Sequence, residues 1–167
     1  MYPVTHPDNE IAPDSAVEPL SLERIGDIFK AQNLDFRFEE QPVGEGETVR
    51  ILRTGFSNAA IAFQHRDNTL ICDSIWRGDI PADKAPEVLA TINQWNTNHF
   101  APTLRFFEAA GKSLAISGFR ELHVGAGVTR NQLGAFVMSS LNSILESFNW
   151  LEQQYPDLVT WEEHNHD

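Results

Sequence analysis

Cys72 is the only cysteine in the 167-residue chain. No intramolecular disulfide can form, which suits a reducing compartment, and a cytoplasmic protein is expected. Basic residues are scarce: 12 Lys and Arg stand against 24 Asp and Glu, a net charge of −12. Such a field repels phosphate, so neither a nucleic acid nor an anionic membrane is an expected partner. No apolar run approaches the roughly 18 residues of a membrane span. No basic segment followed by an apolar core opens the chain, so no secretory signal is expected. Phosphate-cradling glycine loops, the G-x-S-x-G elbow and H-E-x-x-H are all missing. No cofactor is expected.

What is present reads as one domain over residues 20–157. Residues 1–19, with four prolines and no period, read as a flexible arm. Residues 158–167 read as an acidic tail. Ser21 is placed to cap a helix whose apolar face is Leu22, Ile25, Ile28 and Phe29, with Leu34 closing it. The period then drops to two. "DFRFEE", "TVRILRTG", "NAAIAFQHR" and "TLICDSIWR" alternate as strands, with a hairpin turn at Asp67-Asn68. In the last of these, Leu70, Cys72, Ser74 and Trp76 mix polar with apolar, which suggests a strand covered on both sides.

Gly78 and Pro81 should break the sheet, and a second helix should start near Asp83. A hairpin turning at Gly111-Lys112 follows, with Gly118 marking a bulge or a close backbone approach. Thr129 and Gln132 form a T-x-x-Q box before a long helix that ends short of Pro156. On that helix Leu133, Val137, Ser140, Leu141, Ile144, Phe148 and Leu151 fall in one stripe. Helix, strands, helix, two strands, helix implies an α+β fold. Its antiparallel β-sheet should have five to six strands, with three helices packed on it.

Candidate chemistry is sparse. Cys72 lies in an apolar run and reads as a buried, inert thiol. His164 and His166, beside Glu162, Glu163 and Asp167, could chelate a metal only after a tail is ordered, so no metal site is expected. Glu39 with Glu40 and Asp79 with Asp83 are acidic pairs of the kind a hydrolase could use. No motif frames them, so catalysis is not expected.

"INQWNTNHF", Ile92 to Phe100, concentrates the remaining polar groups. With Ala85, Val88, Leu89 and Ile92 as the buried stripe, Asn96 falls inside it and Asn93 and Trp95 flank it. Two readings stand. Asn93, Trp95 and Asn96 clamp the helix end, or a small ligand sits near Trp76, Trp95 and Asn96. Asn98 is a candidate left-handed residue there, and Phe100 is expected to fold back to the core.

"SLERIGDIF", "IWRGDIPADKAPEVLATINQWNTNHFAPTLRF" and "GVTRNQLGAFVMSSLNSILESFNWLEQQYPD" together resemble the YbjN family, bacterial proteins described as sensory-transduction regulators. Ile92, Asn93, Trp95 and Asn96 match its I-N-x-W-N-like segment, and the resemblance runs from Pro19 to Asp157. It implies a type III secretion chaperone-like fold, a homodimer and no transferable catalytic residue. The implied function is a protein-binding regulator or chaperone-like adaptor with an unidentified protein partner. On the last helix Phe136, Ser139, Ser143, Ser147 and Trp150 line one side of the stripe. They are candidates for a dimer or partner interface, or for a short contact with the sheet of the same chain.

Overall fold

Ser21 opens the first helix, α1 (Leu22–Ala31), by accepting the Arg24 N–H. Asn33 closes it at φ 56°, with the Leu34 N–H bonded to the Phe29 carbonyl and the Asn33 N–H to the Lys30 carbonyl. That Schellman arrangement turns Leu34 onto the core. The computed structural model describes residues 13–161 of the chain.

Four strands follow: β1 (Arg37–Pro42), β2 (Thr48–Phe56), β3 (Ala59–Arg66) and β4 (Thr69–Trp76). A two-residue strand, β5 (Ile80–Pro81), and a 3-10 turn lead into α2 (Ala85–Asn98), with Pro86 harmless in the first turn. Then come β6 (Thr103–Ala109), β7 (Ser113–His123) and α3 (Arg130–Gln154).

The strands form one antiparallel sheet, β1-β2-β3-β4-β7, with β6 on the other side of β7. Strand β5 pairs with Leu114 and Ser113 beyond the end of β4. The sheet thus has seven strands rather than five or six, because Pro81, expected to interrupt it, sits in the extra short strand.

The turns follow residue chemistry with one shift. Asp67, not Asn68, takes the positive φ in the β3–β4 hairpin, at 51°. Gly111 and Lys112 are both left-handed. Gly118 proves to be a close approach and not a bulge, since its register is regular on both sides. A Cβ there would lie 3.0 Å from Ser74 Oγ and 3.2 Å from Pro102 Cγ. The Ser74 hydroxyl donates to the Gly118 carbonyl at 2.8 Å and accepts its N–H at 3.1 Å.

All three helices pack on one face of the sheet. Leu52, Ile61, Phe63, Leu70, Cys72, Trp76, Leu104 and Ile116 point to that face and join Ile25, Phe29, Val88, Ile92 and the α3 stripe in one cluster. Every stripe residue read from the α3 sequence is buried. Both halves of the Thr129–Gln132 capping box are formed. The expectation that β4 is covered on both sides fails. Its alternate residues Ile71 and Asp73 are only half-buried and Ile75 is exposed, so the mixed polarity of the inner set reflects Ser74 bonding to Gly118.

Residues 14–19, expected within a flexible arm, are held against the domain. Glu18 forms a bridge with Val128, and Arg24 donates to the Glu18, Pro19 and Val128 carbonyls. Asp14 and Ser15 accept the Asn131 and Arg130 N–H groups at the start of α3. Those amides have no partner within the helix, and the helix end favours a carboxylate. Part of the expected acidic tail is docked as well. Leu158 and Trp161 pack on the core, and Trp161 meets Trp76 edge-on at 5.9 Å. Residues 1–12 and 162–167, with the His164–His166 metal candidate, lie outside the described residues.

Two predictions follow from these contacts. Gly118→Ala should cost about 1–3 kcal/mol, read from denaturant unfolding, because its methyl group has no room. The Thr129 hydroxyl and the Asn131 and Ser15 amides hold the Asp14 carboxyl below its ordinary value of 3.8. A depressed folded pKa means that this contact stabilises above the unfolded value and is lost as pH falls through the folded one. An NMR titration of the Asn131 amide should therefore show a midpoint below 3.8. A midpoint at or above it would contradict the docking.

Candidate functional site

The polar segment at the end of α2 is resolved into separate jobs. Val88, Ile92 and Trp95 form the buried stripe, at i, i+4 and i+7. Leu89, expected inside, is 49% exposed. The stripe is therefore rotated toward Trp95. Asn96 becomes half-buried at its border, and Asn93 is exposed. Among the described residues Asn93 makes no side-chain hydrogen bond, which removes it from the clamp.

Asn96 uses both ends of its amide. Its Nδ2 donates to the Leu104 carbonyl at 2.9 Å, and its Oδ1 accepts the Leu104 N–H at 2.8 Å. Leu104 lies on β6, an edge strand. A primary amide carries the same donor and acceptor as a peptide unit. The side chain thus stands where the next strand's backbone would stand and shields the edge from further pairing.

The rest of the corner is equally occupied. Trp95 Nε1 donates to the Pro102 carbonyl at 3.0 Å. Asn98 Nδ2 donates to the Gln94 carbonyl at 2.9 Å, and the His99 N–H donates to the Trp95 carbonyl at 3.0 Å. The Gln94 and Trp95 carbonyls of the last turn thereby gain partners. Asn98 ends the helix in a right-handed conformation, not a left-handed one, because its side chain does the capping. His99 is extended, and its ring stacks on Trp95 at 3.5 Å and 5°. Phe100 does not return to the core; it is 96% exposed.

Beside this corner lies a groove of about 440 Å³ between α2 and α3. Trp95, His99, Leu145 and Trp150 supply its apolar walls, and Asn142, Glu146, Asn149 and Gln153 its polar rim. Trp150 meets Trp95 at 5.5 Å. Neither Trp76 nor Asn96 lines it. Trp76 is buried against Tyr155 and Trp161, so the expected pocket shared by Trp76, Trp95 and Asn96 does not form around this groove.

The α3 strip is also mostly committed within the chain. Phe136 is buried under the Arg120 guanidinium, 5.0 Å from its ring, and Ser139 accepts from Arg120 at 2.7 Å. Ser147 is buried and donates to the Ile144 carbonyl. Ser143, half-buried, donates to the Ser140 carbonyl. Only Trp150 opens onto the groove, so the five residues are not one free surface.

Glu39 and Glu40 do not converge on one site. Glu39 faces Arg53 at 2.7 Å, while Glu40 points to the other side of β1. Cys72 is buried, and burial pushes its thiol far above the ordinary range, which leaves it inert as a nucleophile. Among the described residues there is no cluster of three His, Cys, Asp or Glu suited to a metal. No described helix is long and apolar enough to cross a membrane.

A three-helix α+β fold with a one-sided antiparallel sheet defines the class. The family described as "YbjN: Putative bacterial sensory transduction regulator" matches residues 21–153, and the chain belongs to it. That description is regulatory and names no reaction. Among solved structures, the crystal structure of YbjN from E. coli, a "putative transcription regulator", is similar over 89% of this chain and 100% of that one. Its TM-score is 0.65 at 15% identity, a likeness of fold. No curated protein matches the chain.

Loss of the Asn96 amide should leave the Leu104 N–H and carbonyl unpaired. Asn96→Ala is expected to cost about 2 kcal/mol in denaturant unfolding. Asn93→Ala should stay within about 0.5 kcal/mol of the parent. Equal effects of the two substitutions would remove the clamp.

Proposed function

We propose that this chain is a non-catalytic, cytoplasmic regulator that acts by binding another protein, as a chaperone-like adaptor, and that it assembles as a homodimer. The α2–α3 groove carries this reading. Its walls are Trp95, Trp150, His99 and Leu145, and Phe100, next in the chain to His99, stands almost fully exposed. Aromatic side chains at the mouth of a groove are the usual anchors of protein recognition. The rim holds Glu146 and no cation, in a chain of net charge −12, so a segment with apolar anchors and basic flanks fits best. The regulatory description of the family supports the same reading.

Phe100 offers a test that spares the fold, because almost none of its surface is buried. Crosslinked host lysate passed over the protein should yield a defined partner by mass spectrometry. Phe100→Asp should lose that partner while its unfolding midpoint stays within about 0.5 kcal/mol of the parent. Recovery of the bait alone, or a partner held equally by Phe100→Asp, would count against the groove.

A further inference from the structure

The helix-free face of the sheet has a composition unlike the rest of the molecule. Strand register identifies its outward positions. Val49, Ile51, Arg53 and Gly55 come from β2; Ala60, Ala62, Gln64 and Arg66 from β3; Thr69, Ile71, Asp73 and Ile75 from β4. Strand β7 adds Ala115, Ser117 and Phe119, and β6 adds Arg105 and Phe107. Along the middle of this face, small and apolar residues alternate with Arg53, Gln64 and Asp73. An antiparallel sheet may leave one face in water, but such a face is ordinarily polar along every strand. Here Ile75 is 46% and Phe107 45% exposed. Ile75 borders a hollow of about 340 Å³ with Ala60, Ala62, Ile51 and Ile71 on its floor and Arg53, Arg66, Arg105 and Asp73 around it.

Charge separates this face from the others. Arg37, Arg53, Arg66 and Arg105 point outward against Glu39, Asp73 and Glu121, a balance of +1. The chain as a whole carries −12. Two copies approaching by any strongly acidic face repel each other, and this one imposes no such penalty. Three of the four arginines already meet acids of their own chain: Arg53 with Glu39 at 2.7 Å, Arg37 with Glu39 at 3.4 Å and Arg105 with Asp73 at 3.3 Å. A near-neutral apolar face suits a second copy better than an acidic peptide.

Size and shape agree. Five strands spaced by about 4.8 Å, with about seven residues each at about 3.4 Å, give a patch on the order of 600 Å² in projection. That is of the same order as the roughly 800 Å² per partner of a stable interface. A twofold contact uses the same patch twice, so each projection must meet a recess of the same surface. Ile75 and Phe107 project, and the Ala60–Ala62 hollow receives.

We infer that two copies of this chain pair sheet to sheet through the outer faces of β2, β3, β4, β7 and β6, with Ile75 and Phe107 of each seated against the alanine hollow of the other. The inference rests on the homodimer of the proposed function and names its surface. It is independent of the α2–α3 groove.

The test is mass in solution by light scattering and sedimentation, on the full chain and four variants. The parent should be dimeric at micromolar concentration. Ile75→Arg and Phe107→Glu should each weaken the dimer by about 100-fold, since each buries an unpaired charge in the contact. Both side chains are about half exposed, and a far-ultraviolet spectrum and unfolding midpoint like the parent's confirm the fold. Phe100→Asp should remain dimeric. A dimer that survives both sheet substitutions overturns the face but keeps the homodimer. A monomeric parent overturns both. A parent that becomes dimeric only after removal of residues 1–12 also overturns the inference, because the chain's own arm is then the occupant.

Discussion

Every helix of this protein finds its apolar contacts on one face of one sheet. That constraint organises the rest. The inward residues of six strands and the stripes of α1, α2 and α3 form a single cluster, so no second core shares the burden. Close contact is needed where the layers meet. Gly118 lacks a Cβ because Pro102 and Ser74 occupy its space, and Ser74 is buried because its hydroxyl serves the Gly118 backbone. A polar residue in an apolar row is thus a requirement of close strand packing.

The same one-sidedness explains the division of labour at the end of α2. That helix reaches the sheet only at its margin, beside β6. Trp95 supplies the buried bulk and fixes the Pro102 carbonyl. Asn96 supplies the peptide-like edge. Asn98 and His99 complete the helix end, and Phe100 is left projecting into solvent. Nine residues that look like one polar site are four separate structural tasks and one exposed aromatic.

Much of this was legible in the chain. The α3 stripe, its capping box, the Ser21 cap and the hairpin pattern are local signals, and local signals survive into the fold. The missed features depend on partners distant in sequence. The α2 stripe was phased on Leu89 rather than Trp95, which placed Asn93 too near the core; the largest apolar residue of the helix was the better guide. The Ser74 hydroxyl suggested a strand covered twice because Gly118 lies 44 residues away. Asp14 and Ser15 looked like part of a loose arm because the amides that they cap begin a helix more than 100 residues later. The α3 strip looked free because Arg120, which lies over Phe136, belongs to another element.

The Asn96 amide also bears on how copies of this chain can meet. A sheet with two open edges can accept one neighbour on each side, and such head-to-tail addition has no natural end. Here the amide occupies the start of the β6 edge, so a neighbouring strand cannot pair there in full register. The β1 edge alone can at most join one molecule to another. A single side chain thereby favours closed assemblies over fibres, which is a service to solubility that its role in holding a corner does not reveal.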